Sequence, residues 1–220
     1  SNQLPKDSFV SKDMYETMDL CVSCKACQRE CPMSVDMAKM KSEFLSHYYR
    51  KFSMSIKDRV ISNMPKLIWL LKFSNPIINT LNKLPIFSQI IEWFGFSSKR
   101  SLPIVENQNP LKEIYKDQPL LEKKVILFAD TFNINFEIKN LMYAIKVLNK
   151  FGYQAIIPSF QNDNLNRPLC CGRTYISLGQ LDKAQKELER FTKYIIDNGY
   201  EELPVVGIEP SCLLTFNDEF

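Results

Sequence analysis

Cys21-Val-Ser-Cys24-Lys-Ala-Cys27-Gln-Arg-Glu-Cys31-Pro32 is the stretch from which the rest of this chain is read. Its four cysteines, closed by a proline, reproduce the spacing of bacterial iron–sulfur loops. Thiolate is a soft ligand suited to such clusters, and cysteines about one helical turn apart can cup one face of a cubane. Pro32 cannot continue a helix interior, so it turns the chain just after the last ligand. The competing reading of clustered cysteines is a zinc knuckle. Zinc sites usually combine two separated Cys or His pairs, and the chain has a single histidine, His47. The spacing predicts a [4Fe–4S] cluster on Cys21, Cys24, Cys27 and Cys31, with zinc as the alternative.

The flanks read as helices. Ser11 is an N-cap candidate for a helix over 11–20, with Met14 and Met18 on one face. After Pro32, Ser34 or Asp36 caps a second helix reaching Phe52. Met37, Met40, Phe44, Tyr48 and Phe52 recur there at helical spacing and predict packing around the cysteine loop. His47 has no sequence partner and reads as a surface residue. Residues 56–96 are apolar with interspersed lysines, and Pro65, Pro76 and Pro85 predict a break into short helices. No run reaches the roughly eighteen apolar residues of a spanning helix. Two readings of this segment stand: a docking face for another domain, or an interfacial membrane patch using Trp69, Trp93 and the lysines. Residues 97–120, polar and punctuated by prolines, read as a linker and domain boundary.

The texture then changes. Val125-Ile-Leu-Phe-Ala129, ending at Asp130, predicts a buried strand. Ile138, Leu141, Ile145 and Leu148 mark a helix stopped by Gly152, and Tyr153–Ile157 a second strand. A polar loop over Gln161–Asn166 leads to Arg167-Pro-Leu-Cys170-Cys171-Gly172. Leu181, Ala184, Leu188, Phe191 and Ile195 give another helix, and Val205–Ile208 a third strand before Cys212. This alternation predicts a parallel sheet with right-handed crossovers. Sites in such sheets form beyond the carboxyl ends of the strands, which places Asp130 and Cys212 at one edge. Cys170 and Cys171, made adjacent by a loop that Gly172 lets turn tightly, join Cys212 as candidate ligands of a second metal site.

Composition sets the class. Of 220 residues 45% are hydrophobic and 24% charged, an ordinary globular balance, and the net charge of +3 gives no case for nucleic acid. Seven cysteines grouped as four, two and one suit metal ligation in a reducing, cytoplasmic compartment better than a disulfide framework. Residues 1–20 lack the apolar stretch of a secretory signal.

Taken together, Cys21–Pro32, Val35–Lys41, Phe128–Phe132, Pro168–Gly172 and Gly207–Thr215 resemble the iron–sulfur C-terminal half of FAD-linked D-2-hydroxyacid dehydrogenases of the D-lactate dehydrogenase and glycolate oxidase type. The second domain of that group is the cysteine-rich CCG type shared with heterodisulfide reductase. The resemblance implies α + α/β architecture: a helical ferredoxin-like domain (1–55), a helical connector (56–105) and a parallel-sheet α/β CCG domain (106–220), cut short at Phe220. It implies electron relay from a flavin domain or subunit, carrying FAD, towards a quinone or other carrier, with peripheral membrane contact on the inner face. Three departures qualify it. No flavin-binding region is present, so this oxidoreductase component is not expected to oxidise a hydroxyacid alone. Only one of the two ferredoxin cysteine motifs occurs, so Cys31 either completes the first cluster or serves a second one. Thr131 and Thr215 stand where the full CCG pattern has cysteines. The rivals are a heterodisulfide-reductase-like thiol/disulfide subunit and a zinc-stabilised docking scaffold.

Overall fold

The structure, a computed structural model, describes residues 8–161 and 167–219. The polar loop over 162–166 and the side chain of Trp69 lie outside the described residues. The chain is largely helical, with one three-stranded parallel sheet in its second half, as the α + α/β reading expects.

A short 3-10 turn (Ser8–Val10) leads to Ser11, whose hydroxyl accepts the Met14 N–H and starts α1 (Lys12–Asp19). The cysteine run contains one short helix, α2 (Ala26–Glu30). Of the two candidate caps, Asp36 starts α3 (Met37–Lys51), its carboxylate accepting from the Ala38 and Lys39 amides. Phe44, Leu45 and Tyr48 are buried on α3, with Val10, Met14 and Met18 packed against them. The helical stripe is thus core, although Met40, at its edge, is half exposed.

Next come α4 (Ile56–Ser62), α5 (Met64–Leu81) and α6 (Pro85–Trp93). Pro65 and Pro85 sit in first turns, where a missing N–H costs nothing. Pro76 does not break the chain: α5 runs through it. An interior proline costs about 3 kcal/mol. Tertiary contacts on both sides oppose that cost. The Asn75 side chain bonds both the N–H and the C=O of Val105, Asn82 does the same to Leu102, and Ile68 and Ile78 are buried.

The expected linker over 97–120 is partly structure. It holds α7 (Asn109–Lys116), whose Leu111 is fully buried in the core beneath the sheet. Leu111, Ile114 and Tyr115 have helical spacing, but over too few residues to stand out from the prolines around them.

Strand β1 (Lys123–Phe128) is central, flanked in parallel by β2 (Tyr153–Ile156) and β3 (Val205–Gly207). Ile126 pairs with Ile156 on one side and with Val205 on the other. Val125 to Phe128 are all buried, which explains their unbroken apolar run. Between β1 and β2 lie α8 (Asn133–Phe136) and α9 (Ile138–Lys150). After β2 come α10 (Pro158–Gln161), α11 (Arg173–Ile176) and α12 (Leu181–Asp197), and after β3 α13 (Pro210–Asp218). One core joins the sheet to α9 through Leu127, Leu141 and Ile145; the other joins it to α12 and α13 through Phe128, Phe191 and Cys212. The chain leaves β1 towards β2 and then crosses back to β3, so the topological switch point lies between β1 and β3.

The helical part sits directly on the α/β part. Ser42 Oγ donates to the Ile176 carbonyl at 2.6 Å, and Gln180 Nε2 reaches Met54 Sδ at 3.2 Å. Gly179 (φ +67°) lies so close to α3 that a Cβ there would stand 2.4 Å from Ser46 N.

Candidate functional site

The Cys21–Cys31 loop owes its shape to residues that adopt unusual backbone. Ser23, Lys25 and Ser34 have φ of 56°, 58° and 52°, left-handed values that cost a non-glycine residue about 1 kcal/mol or more each. Alternating left- and right-handed residues turns successive N–H groups to one side and makes a concavity for anions. Here the concavity faces cysteine sulfurs. The Met37 N–H donates to Cys27 Sγ at 3.4 Å. The amides of Val35, Met33 and Ser34 all donate to Cys31 Sγ and hold that thiol below its usual range. Cys24 is exposed, and Cys21, Cys27 and Cys31 are half-buried.

Among the described residues, no three His, Cys, Asp or Glu side chains gather around a point suited to a single metal ion. A four-iron cluster spreads its thiolates more widely than one ion does, so it is the backbone that speaks to its fit. Four amides aimed at two of four loop thiols suit a group of thiolates carrying negative charge, and the donor set is the soft one that iron–sulfur clusters take. The residues fit.

Two lysines brace the loop. Lys41 Nζ donates to the Cys21 carbonyl at 2.7 Å, and Lys25 Nζ lies 2.8 Å from Glu219 Oε1 and 3.7 Å from Asp36 Oδ2. Lys25 is therefore committed to the C-cap of α13, while Gln28 and Arg29 are exposed on α2. His47, on the exposed side of α3, bonds Glu43 and takes no part.

The second group forms at the switch point. Cys170, Cys171 and Cys212 are all buried and reach one another in series: Cys170 bonds Cys171, and Cys171 bonds Cys212. Thr131, just past β1, bonds Cys170, so it occupies the side of the site where the resemblance would place a further cysteine. Thr215 is fully buried and donates to the Ser211 carbonyl at 2.7 Å. Asp130 serves as a turn cap, its carboxylate accepting from the Phe132 and Asn133 amides and from Asn133 Nδ2. Gly172 (φ +81°) lets the cysteine pair pass α12, since a Cβ there would lie 3.2 Å from Ala184.

The bond to Cys171, then burial, push the Cys170 thiol far above its usual range. For Cys171 the bond from Cys170 lowers the value, but the bond to Cys212 and burial outweigh it, and the thiol is pushed up to about 12. Such thiols are protonated and inert at neutral pH unless a cation displaces the proton. A cavity of about 460 Å³ opens onto them, walled by Thr131, Phe132 and Ser211 on the sheet side and by Ile61 and Pro65 from α4 and α5.

One anchor went unread in the sequence. Glu187 on α12 is buried and paired with Arg167 and Arg190, and Arg190 also donates to the Arg167 carbonyl at 3.1 Å. This fixes the chain three residues before Cys170. The i,i+3 spacing of Glu187 and Arg190 is visible in sequence, but ordinarily marks a solvated face.

Compared with known proteins, the chain is similar to D-2-hydroxyglutarate dehydrogenases. It is 22% identical to that of Haemophilus influenzae, 22% to that of Pantoea ananatis and 23% to that of Pseudomonas putida, each time over 96% of this chain and 21% of the relative. The chain thus spans about a fifth of the length of the curated relatives it matches. No family model matches it, and no solved structure matches it.

Proposed function

We propose that this chain is the iron–sulfur electron-transfer part of a FAD-linked D-2-hydroxyacid oxidoreductase. One observation carries the reading: backbone amides face the sulfurs of the Cys21–Cys31 loop, holding the Cys31 thiol below its usual range and giving Cys27 Sγ a hydrogen bond from the Met37 N–H at 3.4 Å. The distant similarity to D-2-hydroxyglutarate dehydrogenases supports the oxidoreductase class. A [4Fe–4S] cluster on Cys21, Cys24, Cys27 and Cys31 supplies one-electron chemistry when bound. The protein's part is to hold four sulfurs, to point amides at them, which raises the reduction potential, and to keep the loop braced through Lys25 and Lys41. The same proposal carries Cys170, Cys171 and Cys212 as ligands of a second metal site with Thr131 beside it, which requires the three thiols to converge more closely than they do among the described residues. The flavin resides on another domain or subunit, and a quinone or similar carrier accepts the electrons.

The surface for a redox partner is the rim of the loop itself. Leu20, Val22 and Met33 are each more than 80% exposed around the exposed Cys24. Exposed apolar side chains around a charged redox centre suit a small, transient contact.

The thiol/disulfide reading draws on the proximity of Cys170, Cys171 and Cys212, but the bonds between thiols and the burial that raise Cys170 and Cys171 disfavour either of those two as the attacking thiolate at neutral pH. Anaerobic reconstitution with iron and sulfide tests the main reading. About four iron atoms with matching acid-labile sulfide per chain, and a paramagnetic signal on reduction, are expected, all lost in Cys24→Ser. Zinc without sulfide would instead identify a structural scaffold.

A further inference from the structure

We propose that the cavity opening onto Cys170, Cys171 and Cys212 binds a small monocarboxylic acid with an apolar body. Its volume of about 460 Å³ is that of a small-molecule site. Ile61, Pro65, Phe132 and Leu178 give it apolar walls, and Phe132 is 46% exposed despite its large ring. The polar residues of the wall fall into two sets. Thr131 bonds Cys170, and Ser211 bonds the Glu209 carboxylate through its amide at 3.3 Å and its hydroxyl at 2.6 Å. Arg173 and Thr174, side by side at the start of α11, have no such engagement. Among the described residues no carboxylate or other acceptor pairs with the half-buried Arg173 guanidinium, and the buried Thr174 hydroxyl bonds no protein group. A guanidinium without a counter-ion and a hydroxyl without a partner, adjacent on one cavity wall, call for a ligand that supplies acceptors.

Charge and shape select the class of ligand. Besides the cysteines, Arg173 and Glu209 are the charged side chains of the wall, and Glu209 turns one carboxylate oxygen onto Ser211. One guanidinium neutralises one negative charge, and its planar fork matches a carboxylate. A phosphate dianion or a dicarboxylate would leave a second charge against Glu209 or the apolar wall, without compensation. An uncharged ligand would leave Arg173 without its counter-ion. Thr174 joins by a turn about its Cα–Cβ bond, which exchanges methyl for hydroxyl and brings the hydroxyl towards the cavity. The apolar walls then take an alkyl chain or an aromatic ring, and free cysteines, which behave as small apolar groups, do not oppose it. The inference goes beyond the redox reading and stands without it, since it uses neither the Cys21–Cys31 loop nor a metal.

The test is isothermal titration of the full chain, reduced and free of oxygen, with hexanoate and 3-phenylpropionate and with the primary amide of each acid. At least one acid should bind with a Kd below about 1 mM, and about tenfold or more tighter than its amide, succinate or inorganic phosphate. Arg173→Gln should bring acid and amide to equal affinity, and Thr174→Val should weaken the acid about threefold or more, both with an unchanged circular dichroism spectrum. The acid-to-amide ratio is read within a single variant, so it reports on Arg173 whatever the stability of that variant. A ratio that Arg173→Gln leaves unchanged overturns the inference, as does a Kd above about 1 mM for both acids. Succinate or phosphate binding as tightly as the acids would mark a general anion site and overturns it too.

Discussion

Lys25 Nζ and Glu219 Oε1, 2.8 Å apart, join the loop carrying Cys24 and Cys27 to the far end of the helix that begins beside Cys212. Cys212 and Glu219 are separated by seven residues, about 10 Å of helix at 1.5 Å per residue. A single short helix therefore bridges the two cysteine groups, and the ion pair sets how firmly it does so. Both side chains are largely buried, at 18% and 8% exposure, so the pair is less screened than a surface bridge.

Removing either partner leaves the other charge without its closest counter-ion. Lys25→Met and Glu219→Gln should each lower stability to urea by about 1–3 kcal/mol, and the double variant by much less than the sum. Additive losses would mean that the two residues act separately and that the bridge does not couple the groups.

The seam between α3 and the α/β part makes a sharper comparison. Gly179 and Gly152 both have positive φ, but a Cβ at Gly179 meets the backbone of Leu45 and Ser46 while one at Gly152 meets nothing within 4 Å. Gly152→Ala should cost about 1 kcal/mol, the backbone strain alone. Gly179→Ala should cost about 3 kcal/mol or more, because α3 must move away. Thermal unfolding of the two variants under one condition checks the ranking.

Glu187 offers a test of the second cysteine group's support. Its carboxylate is buried between Arg167 and Arg190, so Glu187→Ala leaves two guanidinium groups facing each other without an anion. A loss of about 2–4 kcal/mol is expected. Because Arg167 then loosens, Cys170 should also become open to alkylation in the native state. Unchanged protection of Cys170 would show that the ion triad does not hold the cysteine loop.

These anchors show where sequence is mute. The strands were legible because β1 is buried on both faces and so reads as an unbroken apolar run, and α3 because its stripe spans four turns with Asp36 at its start. What was not legible depends on long-range partners. The Asn75 and Asn82 side chains, which hold 102–105 against α5 and favour a helix continuing through Pro76, look in sequence like any polar residues. Leu111 makes α7 a core element although prolines and asparagines surround it. The first set of cysteines can be picked out by its spacing, and the second by an adjacent pair and a cysteine just past a strand. The amides that fit Cys31 for a thiolate come from left-handed turns at residues with no glycine to signal them.

The two cysteine groups should part company chemically in reduced, metal-free protein. Amide donors lower the Cys31 thiol, whereas bonding among thiols and burial raise Cys170 and push Cys171 up to about 12. A lowered pKa means more thiolate at a given pH and a raised one less. At pH 8 a thiol at 12 is ionised to about one part in ten thousand, against about a quarter for an ordinary cysteine near 8.5. Iodoacetamide followed by peptide mass spectrometry should therefore label Cys31 and the exposed Cys24 first and leave Cys170 and Cys171 unmodified until the protein is unfolded. As the pH falls from 8 to 6.5, labelling of Cys31 should persist better than that of Cys24, since its thiolate survives to lower pH. Labelling of Cys170 at the rate of Cys24 in folded protein would mean that the buried thiols are neither enclosed nor protonated, and the second site would have to be redrawn.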